Sequence, residues 1–264
     1  MAQIHTAASG YWDVGSTWSG GVAPSTNDIG IVLTGHTVTI RVPLSISAME
    51  VAGGSIIQNA DITFQDAFGF PNYHFYYDYV ATSSYTTNGS KTAPRTIRCV
   101  NAIPTYPLKM MVYQIYGAGA ETRTLNLDYV NLVNFLPFLG NENYFQYFND
   151  PAVTNSPIIT SVLPLERDTK FIEHTIIGRS RSRVYRIADN AGAITIEGYC
   201  YWSSHFPTLI KLMKASGQRI SFIAGTELGT NVSMPFCRIE GVPKFQPKKG
   251  ALWCPFSITL VEDW

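Results

Sequence analysis

Between Ile29 and Phe64 the chain is a succession of short β-branched runs, IGIVL, TVTI, PLSISAMEV, SIIQ and DITF, each interrupted within a few residues by Gly, Asn or another small turn former. Nothing in this stretch repeats with the period of a helix. Val, Ile and Thr instead suit a pleated, half-buried surface, and the Thr34-Gly35-His36 turn and the Gly53-Gly54 break mark changes of direction. The first of these reads either as a hairpin or as the corner of a solenoid. Many short strands with closely spaced turns predict a mainly β fold. Residues 1–150 are predicted to form a β-rich N-terminal domain, a β-solenoid or a β-sandwich.

Past this stretch Phe68, Phe70, Tyr73, Phe75, Tyr76, Tyr77, Tyr79 and Tyr85 crowd one span, predicted as an aromatic excursion from the core over 68–85. Tyr and Trp stack on sugar rings and also populate interfaces, so the span reads as neighbour contact, as core and loop packing, or as a glycan surface. Strand signals resume at RTIRCVNAI, LKMMVYQIYG and RTLNLDYVNLVNF. In the last, Leu125, Leu127 and Tyr129 alternate with Thr124, Asn126 and Asp128 as in a half-buried strand. The Asn- and Pro-rich stretch from Asn141 to Pro157 holds the predicted domain boundary.

From 156 to 264 the pattern is more regular. Two β-rich arms flank Asp189-Asn190-Ala191-Gly192, which reads as a hairpin turn. A helix is predicted near 204–216: Ser203 or Ser204 caps it, Pro207 suits its first turn, Phe206, Leu209, Ile210 and Met213 form its apolar stripe, and Gly217 ends it. QRISFIAG, MPFCRIEGV and ALWCPFSITLVE follow as strands. A helix set among antiparallel strands predicts an α+β domain, a β-sandwich or split barrel with one flanking helix.

Only 14% of the residues are charged, and nineteen basic residues balance nineteen acidic ones. Bulk charge therefore predicts neither nucleic-acid binding nor attraction to an anionic membrane, and a charge-poor, near-neutral surface inclines the chain to self-association. No apolar run approaches the length of a membrane-spanning helix, and the opening Met-Ala-Gln-Ile-His lacks the pattern of a secretory signal, so a soluble chain without a membrane partner is expected. Cys99, Cys200, Cys237 and Cys254 are scattered without metal-ligand or redox spacing and read as small buried thiols, so no metal or other cofactor is expected. The common catalytic motifs are absent and the five histidines stand singly, His36 in a turn that suits a structural hydrogen bond. Asp61, Asp66, Asp78 and Asp128 are the carboxylates that distant strands could pair, but the expectation is a protein that is not an enzyme.

Two segments resemble known families. The run YWDVGSTWSGGVAPSTNDIGIVLTGHTVTI, Tyr11 to Ile40, resembles the opening of β-helical and β-solenoid surface and phage proteins. Its residues suit that place: Trp12 and Trp18 can cap the end of a strand stack, Gly20 and Gly21 supply turns, and Asp28 can close a turn by accepting backbone hydrogens. The layout from about Ser156 to Trp264, with GYCYW, a helix ending at Gly217, CRIEGV and FSITLVE, is similar to the tail-tube-type fold of long-tailed bacteriophages, as used in distal tail and baseplate proteins.

That resemblance implies a structural component of a virion, assembled in the host cytoplasm, that forms rings around the channel through which genomic DNA passes. With a single such domain the hexamer is favoured over the trimer, and other virion proteins are the expected partners. The runner-up readings are a capsid decoration protein and, from another class, a carbohydrate-binding or glycan-cleaving adhesin. The residues expected at subunit interfaces are Arg179, Arg181, Arg183, Tyr76, Tyr77, Tyr79, Phe206 and Trp253. Arg179, Arg181 and Arg183 alternate along GRSRSRVYR and so share one side of an extended segment, which suits an acidic neighbouring subunit, passing DNA phosphates or a solvated loop.

Overall fold

The computed structural model describes residues 2–65, 75–79, 83–100, 110–114, 124–125, 127, 129–141, 144–151, 153–166, 169–174, 183–189, 193–202, 206–225, 228 and 232–262. The chain is mainly β with one helix, as expected. Strands β1 (Gln3–His5) and β2 (Gly10–Tyr11) open it. Three follow as β3 (Ile29–Leu33), β4 (Thr37–Ile40) and β5 (Leu44–Ile46), then three more as β6 (Ala48–Ala52), β7 (Ser55–Gln58) and β8 (Ile62–Gln65). The triplet recurs in β9 (Phe75–Tyr79), β10 (Ser84–Thr87) and β11 (Arg95–Val100), and again in β12 (Met110–Gln114), β13 (Thr124–Leu125) and β14 (Val130–Val133).

Each strand pairs in parallel with its counterpart in the next triplet, never with its neighbour in sequence. The result is three parallel sheets, ordered β1-β3-β6-β9-β12, β2-β4-β7-β10-β13 and β5-β8-β11-β14. Thr34-Gly35-His36 is therefore a corner between two sheets, with Gly35 at φ 82°, and the hairpin alternative falls. The apolar residues that alternation selects meet between the sheets: Val32, Val51 and Phe75 from the first, Val38, Ile56 and Tyr85 from the second, Ile46, Phe64 and Leu132 from the third.

Two sequence readings are corrected in this half. Of the expected excursion over 68–85, Phe75–Tyr79 is a strand between β6 and β12, and Phe75 and Tyr85 are buried, so these residues belong to the sheets; 68–74 and 80–82 lie outside the described residues. The alternating run from Thr124 is likewise not one strand. It breaks at a corner where Tyr129 adopts φ 56° and stands exposed, because the chain turns there from one parallel sheet to the next.

The second half begins before the expected boundary. β15 (Phe138–Gly140) and β16 (Phe145–Tyr147) join β17 (Ile158–Glu166), β20 (Ala193–Tyr201), β21 (Arg219–Ala224), β22 (Val232–Phe245) and β23 (Trp253–Glu262) in one antiparallel sheet of order β16-β15-β21-β22-β23-β20-β17. β18 (Thr169–His174) and β19 (Arg183–Asp189) pair only with each other among the described residues. The expected hairpin across Asp189 to Gly192 is corrected by this pairing. β19 and β20 do not pair: β20 runs against β17 and β23, and β19 against β18. Two β-rich arms are equally good strands whichever partner they take, so alternation alone did not assign the partners.

The Asn-rich connection is tightly tied. Asn149, at φ 56°, uses its side chain as a surrogate strand residue: Oδ1 accepts from the Ile159 amide at 2.8 Å and Nδ2 donates to the Ile159 carbonyl at 3.2 Å. The helix α1 (Phe206–Ala215) falls where predicted, with Gly217 at φ 76° just beyond its end. It buries Leu209, Leu212 and Ala215 against a core containing Phe222, Cys237 and Phe256 of the sheet. Lys211 and Lys214 place their ammonium groups over the rings of Phe145 and Tyr144, which fixes the helix on β16. The predicted stripe is corrected: Phe206 and Met213 are 56% and 51% exposed, because the sheet takes the 209–212–215 side of the helix.

Candidate functional site

The tryptophans expected to cap a strand stack lie within the core of the parallel sheets. Trp12 and Trp18 are buried and packed edge to face, ring centroids 4.6 Å apart, and the Trp18 indole N–H donates to the Trp12 carbonyl at 2.8 Å. Gly30 leaves the space that the Trp12 ring fills, since a Cβ there would stand 2.4 Å from it. Gly20 and Gly21 take positive φ in the intervening turn. Asp28 accepts the Ser25 amide at 3.0 Å, the Ser25 hydroxyl at 2.6 Å and the Ala2 amide at 3.0 Å. His36 has the structural bond expected of it, Nδ1 to Thr6 Oγ1 at 2.8 Å. These groups hold the fold together and none is poised for chemistry.

The Asp28 bonds have a pH signature. Burial by itself would raise this carboxyl, but the hydrogen bonds from Ser25 and Ala2 outweigh it and hold the group below its ordinary value. Stability from Asp28 is thus fully present above the unfolded carboxyl value of about 3.9 and is lost as pH falls through the lower folded value. Asp28→Ala is expected to cost about 1 kcal/mol near neutral pH, discounted for solvent at this largely open turn. Thermal melts of the two proteins should converge in acid. A gap that persists unchanged at the lowest pH would contradict the account.

Among the carboxylates weighed for catalysis, Asp61 Oδ1 accepts the Thr96 amide at 2.9 Å and so ties one coil to another. Asp66 and Asp128 lie outside the described residues, and Asp78 lies on β9 opposite Ala52. Cys200, Cys237 and Cys254 are buried thiols in strands, and burial together with the neighbouring Cys254 pushes Cys200 up to about 12, which keeps it unreactive.

The expected interface residues separate into groups. Tyr76, Tyr77 and Tyr79 lie on β9 in the first parallel sheet, in register with Glu50, Val51 and, for Tyr79, Gln114. Arg183 begins β19, paired with His174, whereas Arg179 and Arg181 lie outside the described residues. Phe206 opens α1 and points outward, on the same side as Ile210 and Met213, four and seven residues on. Trp253 opens β23, half-buried, with its ring 5.3 Å from Tyr201 at 77°. Those of them that are described lie on separate elements, β9, β19, α1 and β23.

Two features were missed. β17 is an edge of the seven-stranded sheet: β20 covers one side, and on the other no strand pairs with it among the described residues beyond the Asn149 bonds to Ile159. Pro164 within IITSVLPLE was the available signal, since Pro is tolerated in edge strands. The other is a recess of about 280 Å³ lined by Trp202, Trp253, Cys254 and the loop from Pro247 to Ala251. Its signal was the pairing of YCYW with PKKGALW across two strands, which one-dimensional spacing does not reveal. No protein-family model matches the chain, and neither does any curated protein.

Proposed function

We propose that this chain is a structural subunit of a long-tailed bacteriophage virion, closing into rings through its antiparallel half and carrying its N-terminal half, a β-solenoid of stacked coils, as a projecting module. One observation carries the reading, the open edge of β17. Beyond Ile159, whose backbone the Asn149 side chain satisfies, no strand among the described residues pairs with its outer side, and Leu163 is exposed along it. Monomeric proteins blunt such an edge with lysines, bulges that turn it away, or a covering loop. Here the strand has no lysine, and its only charge is Glu166 at its end; register shifts at Ile159–Ser161 and Leu163–Glu166, with Pro164 in the second, leave Ser161–Leu163 as its regular open stretch.

A second copy suits this edge because homo-oligomers that join unlike surfaces close into rings when the rotation permits. The outward Phe206–Ile210–Met213 side of α1 and the two-stranded β18–β19 ribbon, marginal on its own in water, add surfaces that association would bury. Arg179, Arg181 and Arg183 would then meet an acidic neighbour. The charge balance suits that contact, since residues up to Asp150 carry a net −4 and the remainder +4.

The test is solution mass and electron microscopy of the intact chain beside Leu163→Lys. Rings, six-fold by the tail-tube resemblance, are expected for the parent and their loss for the variant, since a lysine on the edge opposes strand addition. A parent that stays monomeric at high concentration, or rings that survive both this substitution and truncation after Asn155, would overturn the proposal.

A further inference from the structure

The side of the antiparallel sheet turned away from its core collects aromatic rings and lysines at one end. In β20 and β23 the core-facing residues include Ile196, Cys200, Cys254 and Phe256, so Tyr199, Tyr201 and Trp253 fall on the opposite face. Tyr199 and Tyr201 stand about 7 Å apart along the strand, and Tyr201 is in register with Trp253, whose ring packs against it. Just past the strand ends Trp202, 41% exposed, is held by its amide bond to the Leu252 carbonyl at 2.8 Å. Lys248 and Lys249 form the wall of the recess beside the two Trp rings, and the turn that carries them is closed by the Ala251 amide on the Lys248 carbonyl at 2.9 Å. Neither lysine has a carboxylate partner among the described residues.

The chemistry of this lining is one-sided. Two indole N–H groups and two ammonium groups donate, ring faces offer stacking, and no Asp, Glu, Asn or Gln side chain lines the recess to accept. A neutral sugar, whose hydroxyls need acceptors as well as donors, fits poorly. An acidic peptide fits poorly too, because β20 and β23 are both flanked by strands and offer no free backbone edge for strand addition. Bases with exposed faces joined by phosphates need only rings and cations. From these observations we infer that the recess and the adjoining tyrosines bind single-stranded nucleic acid, with bases against Trp202, Trp253 and Tyr201 and phosphates toward Lys248 and Lys249. Duplex DNA keeps its base faces stacked and offers only its phosphates. Glu197, which accepts from Ser161 and lies in the next recess along the sheet beside Lys244, marks where the favourable surface ends.

Titration of the intact chain with a twelve-residue oligo(dT), read by tryptophan fluorescence and by anisotropy of the labelled strand, tests the inference. Binding is expected at low salt and should weaken steeply as salt rises, while the matching duplex and polyglutamate bind at least tenfold more weakly. Trp202→Ala should weaken binding about tenfold or more, and Lys248→Ala with Lys249→Ala should also flatten the salt dependence. All three positions are exposed, so circular dichroism should find the fold intact. Absence of oligo(dT) binding at low salt, equal binding of duplex or polyglutamate, or unchanged affinity in well-folded variants would overturn it. None of these outcomes depends on ring formation.

Discussion

Trp18→Ala is expected to lower the unfolding free energy by about 3–5 kcal/mol, the range for truncating a fully buried aromatic side chain. Trp18 is 1% exposed, makes the edge-to-face contact with Trp12, and donates the only hydrogen bond that its indole can give. Its loss removes packed surface from the core between the parallel sheets, which Trp18 shares with Val32 and Val38. Urea unfolding should show a lower midpoint at unchanged slope. A shift under 1 kcal/mol would mean that the core between the parallel sheets does not depend on this pair.

The opening segment was legible because its parts are local. Trp12, Trp18, the Gly20-Gly21 turn and Asp28 lie within seventeen residues, and their roles follow from side-chain size, positive φ and short-range hydrogen bonding. Helix α1 was legible for the same reason, from Pro207 at its start to Gly217 beyond its end. Its outward face was not. Phe206, Leu209, Ile210 and Met213 all suit a helix stripe, and only the place of the sheet decides that Leu209 goes inward with Leu212 while Phe206 and Met213 remain outside.

Strand partners were the least legible element. Alternation in SIIQ or VYRIAD fixes which residues share a face but carries no address for the neighbour. Parallel pairing between triplets joins residues such as Ser55 and Ser84, far apart in sequence, and the tyrosines of β9 read as an excursion because nothing in their spacing shows that the strand pairs with β6 and β12. Buried polar residues were invisible for a related reason. Gln58, fully buried, donates to the Ala60 and Thr96 carbonyls and accepts from the Tyr85 hydroxyl at 2.9 Å, a network that exists only once two successive strand triplets lie side by side. The surfaces proposed for assembly and for nucleic acid share this origin, being made by strands brought side by side.

The two halves are joined by adjacent residues of a single strand. In β21 Phe222 enters the core beneath α1, with Leu212 and Met234, while Ile223 enters the core of the parallel sheets, with Val130, Leu132 and Phe135. Successive strand residues point to opposite faces, so this one strand serves two cores, and Ile223 shares with Trp18 the buried cluster of the parallel sheets. Ile223→Ala is expected to cost about 2–5 kcal/mol, and amide exchange should accelerate both in β14 and in β21, because Ile223 shares its buried cluster with Val130 and Leu132 of β14. Phe222→Ala should cost a comparable amount yet act first on β21, β22 and α1. Were Ile223→Ala to quicken exchange in β21 alone, Ile223 would then contribute nothing to holding the parallel sheets together.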